Sequence, residues 1–437
     1  MSGTTLALTN ARVIDGKATT PFERASVIVE GGVVAAVGSD VAPPAGPNVE
    51  VVDLHGQTLM PGLMDAHVHL TMDTLCGKNI IWHHLALHPT LRAYHSLANA
   101  QKALNAGFTT LRTMQAGGPD LGGDAALHDA IEQGITLGPR IIPSAVIFGM
   151  TGGHNDMFVP AVFKERWMTA DGVDECRKAA RIAIRAGAEF LKIFTSGGVF
   201  SMKTSPDARN YTLEEITAIC DEAKAQGRRV AAHAIATQGI KNAVLGGVTT
   251  VEHGSKLDAE AVHMMRDRGT YLVPTLAIGH NSFKGNDPHV PEHARAKGAA
   301  VVDQHQQSVR MAVEAGVKIV LGTDASDFAP FGRNAQELEL LVDAGLTPMA
   351  ALQAGTSVAA EALGIDGFTG AIEVGKAADL LVVDGDPLAD VRILQDLARI
   401  KRVFLAGRLV VDRDAGLEAY RPGAPLTGSA IGEPVFG

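Results

Sequence analysis

Between residues 61 and 369, short apolar runs alternate with helix-patterned stretches, and this alternation restricts the fold more than any other feature of the chain. The apolar runs are Leu63–His69, Phe108–Met114, Arg140–Ile147, Glu189–Thr195, Arg229–Ala234, Thr249–His253, Thr270–Thr275 and Val317–Gly322. Helical patterns lie between them, among them Thr90–Asn105, Gly172–Ala186, Leu213–Gln226, Ala259–Arg268 and His293–Ala315. Each run is nearly continuous, as expected of strands buried on both faces. Alternating strand and helix predicts a parallel sheet, and eight such units predict an α/β fold of the closed (β/α)8 TIM-barrel type. Two connections exceed the usual few residues, Phe148–Asp171 and Ala277–Glu292. Segments of that length serve either as binding loops and lids or as surface insertions.

The flanks differ in character. Leu6–Val13, Ser26–Glu30, Val33–Gly38 and Val51–Leu54 read as strands around glycine turns, as do Ala378–Asp384, Ile400–Ala406 and Gly407–Asp412. Neither flank can build a core alone. The expected solution is a small composite β-sandwich domain of residues 1–60 and 370–437, with the barrel, 61–369, inserted between its halves. The last residues, rich in Pro and Gly, are expected to run over the surface.

Composition narrows the partners. The formal net charge is −10 with no long basic run, which argues against nucleic acid and anionic membranes. No apolar run approaches the roughly 18 residues of a membrane span. The first residues, Met1–Thr9, lack the pattern of a signal peptide. Cys76, Cys176 and Cys220 are odd in number and widely spaced, which disfavours a disulfide framework or a cysteine-based zinc site and fits a reducing cytoplasm.

The active sites of barrel enzymes lie at the C-terminal ends of the strands. Strand one carries Asp65, His67 and His69 in Met60–Leu70; alternate residues of a strand share a face, so both imidazoles point one way. Asp65 shares that face but sits deeper, where it would orient a ligand histidine. Strand four carries Lys192 within an apolar run, strands five and six end in His233 and His253, and strand eight ends in Asp324. Each has a bland alternative: a hydrogen-bonded histidine, a lysine that extends its ammonium to water, an aspartate that caps the next helix. Those alternatives do not explain why five strands place such groups at one end. Burial beside cations would lower the pKa of Lys192, and the neutral amine could take up carbon dioxide to become a carbamate able to bridge two ions. Imidazole and carboxylate ligands suit zinc, with manganese another divalent choice.

Taken together, Pro61–His69, Lys192-Ile-Phe-Thr-Ser-Gly-Gly198, Ala232-His233-Ala234, Glu252-His253-Gly254 and Gly322-Thr-Asp324 resemble the amidohydrolase superfamily, on its two-metal branch with a carboxylated lysine. The similarity spans nearly the whole chain. Lys192-x-x-x-Ser-Gly-Gly and Val273-Pro-Thr-Leu276 most resemble Xaa-Pro dipeptidases and related amidases that hydrolyse ochratoxin. The resemblance implies that His67, His69 and Asp324 hold the more buried metal ion and His233 and His253 the other. Carboxylated Lys192 and a hydroxide would bridge them, with Asp324 as general base and then acid. The implied reaction is cleavage of an amide bond in a dipeptide or N-acyl amino acid, and relatives are commonly homo-oligomers. His154, in Gly149–Asp156, and Tyr211, after strand four, are the candidate contacts to a small-molecule or dipeptide substrate. Ser196-Gly-Gly198 could offer backbone N–H groups to a carboxylate or simply form a tight turn. His83, His84, His88 and His95 are expected at the surface or in packing. A one-metal deaminase or cyclic-amide hydrolase of the same superfamily is the competing reading. Such deaminases usually carry a Glu three residues beyond the third metal histidine, where this chain has Ala236. A scaffold without activity would not need the full ligand set.

Overall fold

The chain starts in β structure because its first segments are β-branched and punctuated by glycine. In the computed structural model, which describes residues 5–72, 88–114, 123–156, 168–284, 287–288, 290–326 and 328–421, these segments are β1 (Thr5–Val13), β2 (Phe22–Glu30), β3 (Val33–Gly38), β4 (Val49–Asp53) and β5 (Thr58–Pro61). The parallel strands follow: β6 (Leu63–Val68), β7 (Phe108–Thr113), β8 (Arg140–Pro143), β9 (Ile147–Gly149), β10 (Met168–Thr169), β11 (Phe190–Phe194), β12 (Arg229–Ala234), β13 (Thr250–His253) and β14 (Tyr271–Val273). The last three, β15 (Leu380–Val383), β16 (Ile400–Leu405) and β17 (Arg408–Asp412), return to the first sheet.

The two ends of the chain meet where β15 pairs antiparallel with β5, Leu380 opposite Pro61 and Val383 opposite Thr58. One hydrogen-bonded sheet then runs β17-β16-β15-β5-β1-β2-β3, with β4 beside β1. Leu8, Val13, Val27, Leu59, Leu380 and Phe404 from both ends share one buried cluster. The two flanks thus bury a single apolar core together, which neither could form alone.

The barrel's strands pair in parallel as β6-β7-β8 and β9-β11-β12-β13-β14. Backbone bonds join these groups: Glu189 donates to Pro143 O at 2.9 Å, linking the start of β11 to β8. The expected eighth strand, Val317–Gly322, has no regular ladder. It still exchanges bonds with β14 (Leu272 N to Lys318 O, 3.0 Å) and β6 (Ala66 N to Leu321 O, 2.9 Å), so it closes the ring between them. The expected third strand is broken in two. Ala145, at φ +54°, turns the chain between β8 and β9, and the buried Asp124 carboxyl accepts from Ser144 N and Ala145 N to hold that turn. Inside the ring, Met64, Ile142, Phe190, Ala231, Tyr271 and Val320 form a layer plugged from below by Ala359 and Ala360 of helix Ser357–Leu363. No helix among the described residues is long and apolar enough to cross a membrane.

Candidate active site

On β11 and β12 the alternate residues Phe190 and Lys192, and Ala231 and His233, face the barrel interior, so the layer above the apolar plug is polar. Its deepest element is a row of charge. Arg112 of β7, 2% exposed, donates to Glu252 Oε1 of β13 at 2.8 Å, to Thr250 Oγ1 at 3.1 Å and to Ala66 O at 2.6 Å. Glu252, also bonded by Thr250, presents Oε2 to His67 Nδ1 at 2.7 Å. The Arg112 guanidinium and the His67 bond hold the Glu252 carboxyl down at about 2 against the upward pull of burial. An ionised Glu252 accepts a hydrogen bond from His67 Nδ1–H, which leaves the lone pair on Nε2. Burial, reinforced by Lys192, pushes the His67 imidazole down to about 4, so it is neutral across the physiological range.

His67 Nε2 lies 3.6 Å from Asp324 Oδ1, and His69 Nε2 lies 3.1 Å from the same oxygen. One ligand atom from each of these three residues falls within 4.8 Å of the other two. Asp65 does not reach the cluster; it underpins it. Its carboxylate accepts from His67 N (3.1 Å), Thr323 N (3.1 Å), Thr323 Oγ1 (2.6 Å) and Asn334 Nδ2 (2.8 Å), which pins β6 to the segment that ends in Asp324. Despite those four bonds, burial raises the Asp65 carboxyl to about 6.

His253 and Glu252 are sequence neighbours, yet both belong to the site. Neighbours on a strand normally face opposite ways. His253 has φ +69°, and this left-handed turn at the end of β13 brings its ring back to the cavity. Asp324 (φ +59°) and Thr275 (φ +54°) do the same at two other strand ends. Such conformations cost about 1–3 kcal/mol each and cluster where function requires them. His253 Nδ1 lies 2.7 Å from Thr275 Oγ1, and His233 Nε2 lies 3.1 Å from Gly197 O. Their rings sit 4.6 Å apart, and His67 lies 5.1 Å from His253. Burial lowers both imidazoles well below the usual histidine range. Lys192, 2% exposed, lines the same cavity, and burial pushes its ammonium down to about 8.

This donor set fits a divalent metal. The bonds to Glu252, Gly197 O and Thr275 each occupy one ring nitrogen and leave the other for a ligand, and Nδ1 of His69 is buried without a hydrogen-bond partner among the described residues. Three imidazoles held neutral by burial, a carboxylate and a lysine whose ammonium is destabilised are the residue types that imidazole–carboxylate metal sites use.

The remaining sequence candidates divide. His154 lies in the cavity, stacked on His233 at 4.5 Å between ring centroids and bonded to Ser201 Oγ; burial pushes it down to about 3. Tyr211 does not reach the site. It is fully buried in the hydrophobic core beside Cys176 and is absent from the cavity wall, because the chain turns it inward as helix Leu213–Ala225 begins. The glycines of Ser196-Gly-Gly198 serve close packing. A Cβ on Gly197 would come within 2.0 Å of Ser205 O, and one on Gly198 within 2.1 Å of the His154 ring. His88 caps helix Pro89–Asn105 and His95 lies on that helix; His83, His84 and Cys76 fall outside the described residues. Sequence reading gave no role to Arg112, Thr250, Glu252, Thr275 or Asn334. Arg112 did carry a signal: a charge inside an apolar strand requires a buried partner of opposite sign. The rest of the wall is mostly apolar, with Phe200 stacked on Phe328 at 5.3 Å and Phe283 at 6.0 Å from Phe200, and it also carries Asn155, Ser255, His305 and Ser326.

Comparison with known proteins gives the arrangement a context. The profile described as the amidohydrolase family matches residues 58–410. The ochratoxinase of Aspergillus niger is 31% identical over 409 residues, 89% of this chain and 83% of its own length. A crystal structure of a Xaa-Pro dipeptidase with bound methionine in its active site is 32% identical, with a TM-score of 0.85 over 93% of this chain and 99% of that one. A prolidase complexed with N-methylphosphonate-L-proline is 33% identical, with a TM-score of 0.84 over 94% of this chain and all (100%) of that one.

Proposed function

The chain belongs to the amidohydrolase family, and on that premise we propose that it hydrolyses the amide bond of dipeptides or N-acyl amino acids at a centre of two divalent metal ions. The observation that carries the reading is the convergence of His67, His69, Lys192, His233, His253 and Asp324 on one cavity whose other walls are mostly apolar. His67, His69 and Asp324 would hold one ion and His233 and His253 the other, with Lys192, as its CO2-derived carbamate, between them. Zinc is the ion that such nitrogen and oxygen donors suit best. When bound, two ions lower the pKa of water and polarise a carbonyl.

The protein's own groups do the rest. Asp324, at the mouth of the ligand cluster, accepts the proton of the attacking water and returns it to the departing amine. His154, neutral and stacked on His233, is placed to hydrogen-bond the substrate's carbonyl or carboxylate. Phe200, Phe283 and Phe328 receive an apolar group and exclude water from the reacting bond. The relatives named ochratoxinase and Xaa-Pro dipeptidase favour linear amides over the deaminase or cyclic-amide reading, as does Ala236, which offers no carboxylate for the proton transfer of deamination.

A hydrolysis panel tests the proposal. Zinc- or manganese-loaded protein is offered Xaa-Pro dipeptides, other dipeptides and N-acyl amino acids including ochratoxin A, and release of the amino acid is followed. Cleavage within one of these classes supports the reading. Loss of ammonia from a heterocycle, with every linear amide intact, refutes it.

A further inference from the structure

One turn of chain at the start of helix Gln336–Asp343 reaches both sides of the site. Asn334 donates to Asp65, the carboxylate that fixes β6 to the Asp324 segment. Glu337, one turn later and 0% exposed, accepts from Leu276 N at 2.8 Å and Ala277 N at 2.7 Å. A carboxyl is a costly side chain to bury, and a leucine would serve packing better. What this carboxyl does is gather the two N–H groups that follow Thr275. Thr275 is β-branched yet left-handed, at φ +54°, a conformation such residues adopt only when their surroundings impose it. Its hydroxyl oxygen is the 2.7 Å partner of His253 Nδ1. An Nδ1–H donated to Thr275 leaves the His253 lone pair on Nε2.

We propose that Glu337 is a positioning residue for His253. By binding the two amide groups after Thr275 it holds that residue in its left-handed turn, and the Thr275 hydroxyl then sets the orientation and tautomer of the His253 ring. The inference rests on the two-ion reading, but it is tested by metal affinity and needs no substrate. A partner that orients a metal-binding histidine commonly accounts for 10–100-fold in affinity.

The experiment is Zn2+ competition with a chromogenic chelator on the full chain, for wild type, E337Q, T275V, T275S and the E337Q/T275V double variant. Apo-protein melting is followed in parallel. E337Q and T275V are each expected to release one of two zinc ions about 10–100-fold more readily, while the second ion stays at wild-type affinity. T275S, which keeps the hydroxyl, retains both ions. The double variant is no weaker than the worse single variant, because both act through one chain of contacts. Wild-type affinity for both ions in E337Q or T275V, or additive losses in the double variant, overturns the proposal. So does a lowered apo melting temperature with zinc binding unchanged. If the wild-type chain itself binds no zinc, the two-ion reading falls and this inference with it. If wild type binds two ions and only the variants behave contrary to expectation, this inference alone falls.

Discussion

In the proposed reaction Asp324 ties ligation to proton transfer. Its Oδ1 lies within 3.6 Å of His67 Nε2 and 3.1 Å of His69 Nε2, and those rings hold its carboxyl well below the usual carboxylate range despite burial. It is therefore ionised and able to accept a proton. Asp324→Asn preserves the side-chain shape and one oxygen but removes the base. Metal content should remain close to wild type while kcat falls by about 10²–10⁴-fold; elemental analysis and turnover on one sample check both halves. The histidines predict a pH dependence of the metal-free chain. Burial lowers His67 and His305 to about 4, His154 to about 3, and His233 and His253 well below the usual value of 6.5. As pH falls from 6.5 toward 4, the unfolded chain takes up protons that the folded chain refuses, so stability falls with pH. Asp65, Asp124 and Glu337 act in the opposite sense, since burial raises their carboxyls to about 6, 6 and 8. Five imidazoles against three carboxyls give a net loss across that window. Urea midpoints of chelator-treated protein should be lower at pH 5 than at pH 7; a flat or rising profile contradicts the assigned burial.

Among the elements, helix Glu292–Glu314 shows how the apolar part of the cavity is shaped. Gly298 sits inside that helix, where glycine costs about 0.5–1 kcal/mol relative to alanine. A Cβ there would fall 2.2 Å from the Phe283 ring, so its absence seats Phe283 against the helix. Gly298→Ala should drive Phe283 into the cavity. The expected result is about a tenfold or greater loss in kcat/KM for substrates with a bulky aromatic group, with little loss for small ones; kinetics on a size series measure it. Element existence was legible where period and length agreed, as in the run Phe190–Phe194 or the helix Leu213–Ala225. The break between β8 and β9 was not, because it depends on Asp124 reaching Ser144 and Ala145 across 20 residues. The burial of Tyr211 was not legible for a related reason: position in a loop after a barrel strand says nothing about which way the side chain turns. The candidate ligand residues were legible because they lie at or near the C-terminal ends of the apolar runs, with Lys192 the one charge inside such a run. Glu252, Thr275 and Glu337 act on those ligands from the interior, where sequence pattern reads only burial.

At the scale of the whole molecule, the terminal sheet and the barrel are joined by Asp379. Its carboxylate, 3% exposed, accepts from Arg140 at the start of β8 (2.9 Å), from Thr369 Oγ1 (2.8 Å) and from Ala406 N (2.8 Å). Asp379→Ala leaves the half-buried guanidinium and the amide without their acceptor. The cost should be about 3 kcal/mol of unfolding free energy, with Asp379→Asn losing less; calorimetry reads the difference. Pairing of the two chain ends was legible from composition, since both flanks are β-rich and too small for separate cores. The contact between this sheet and the barrel was not, because it depends on single residues 239 positions apart.

In the proposed enzyme, five strand ends build one two-ion centre around a carboxylated Lys192. The most direct measurement is a crystal structure of zinc-loaded protein grown with bicarbonate, examined at Lys192. Continuous density for a carbamate on Nζ, lying between one ion on His67, His69 and Asp324 and another on His233 and His253, is the expected result. A free ammonium on Lys192 beside bound metal, or a single ion that leaves His233 and His253 without a ligand role, would contradict it.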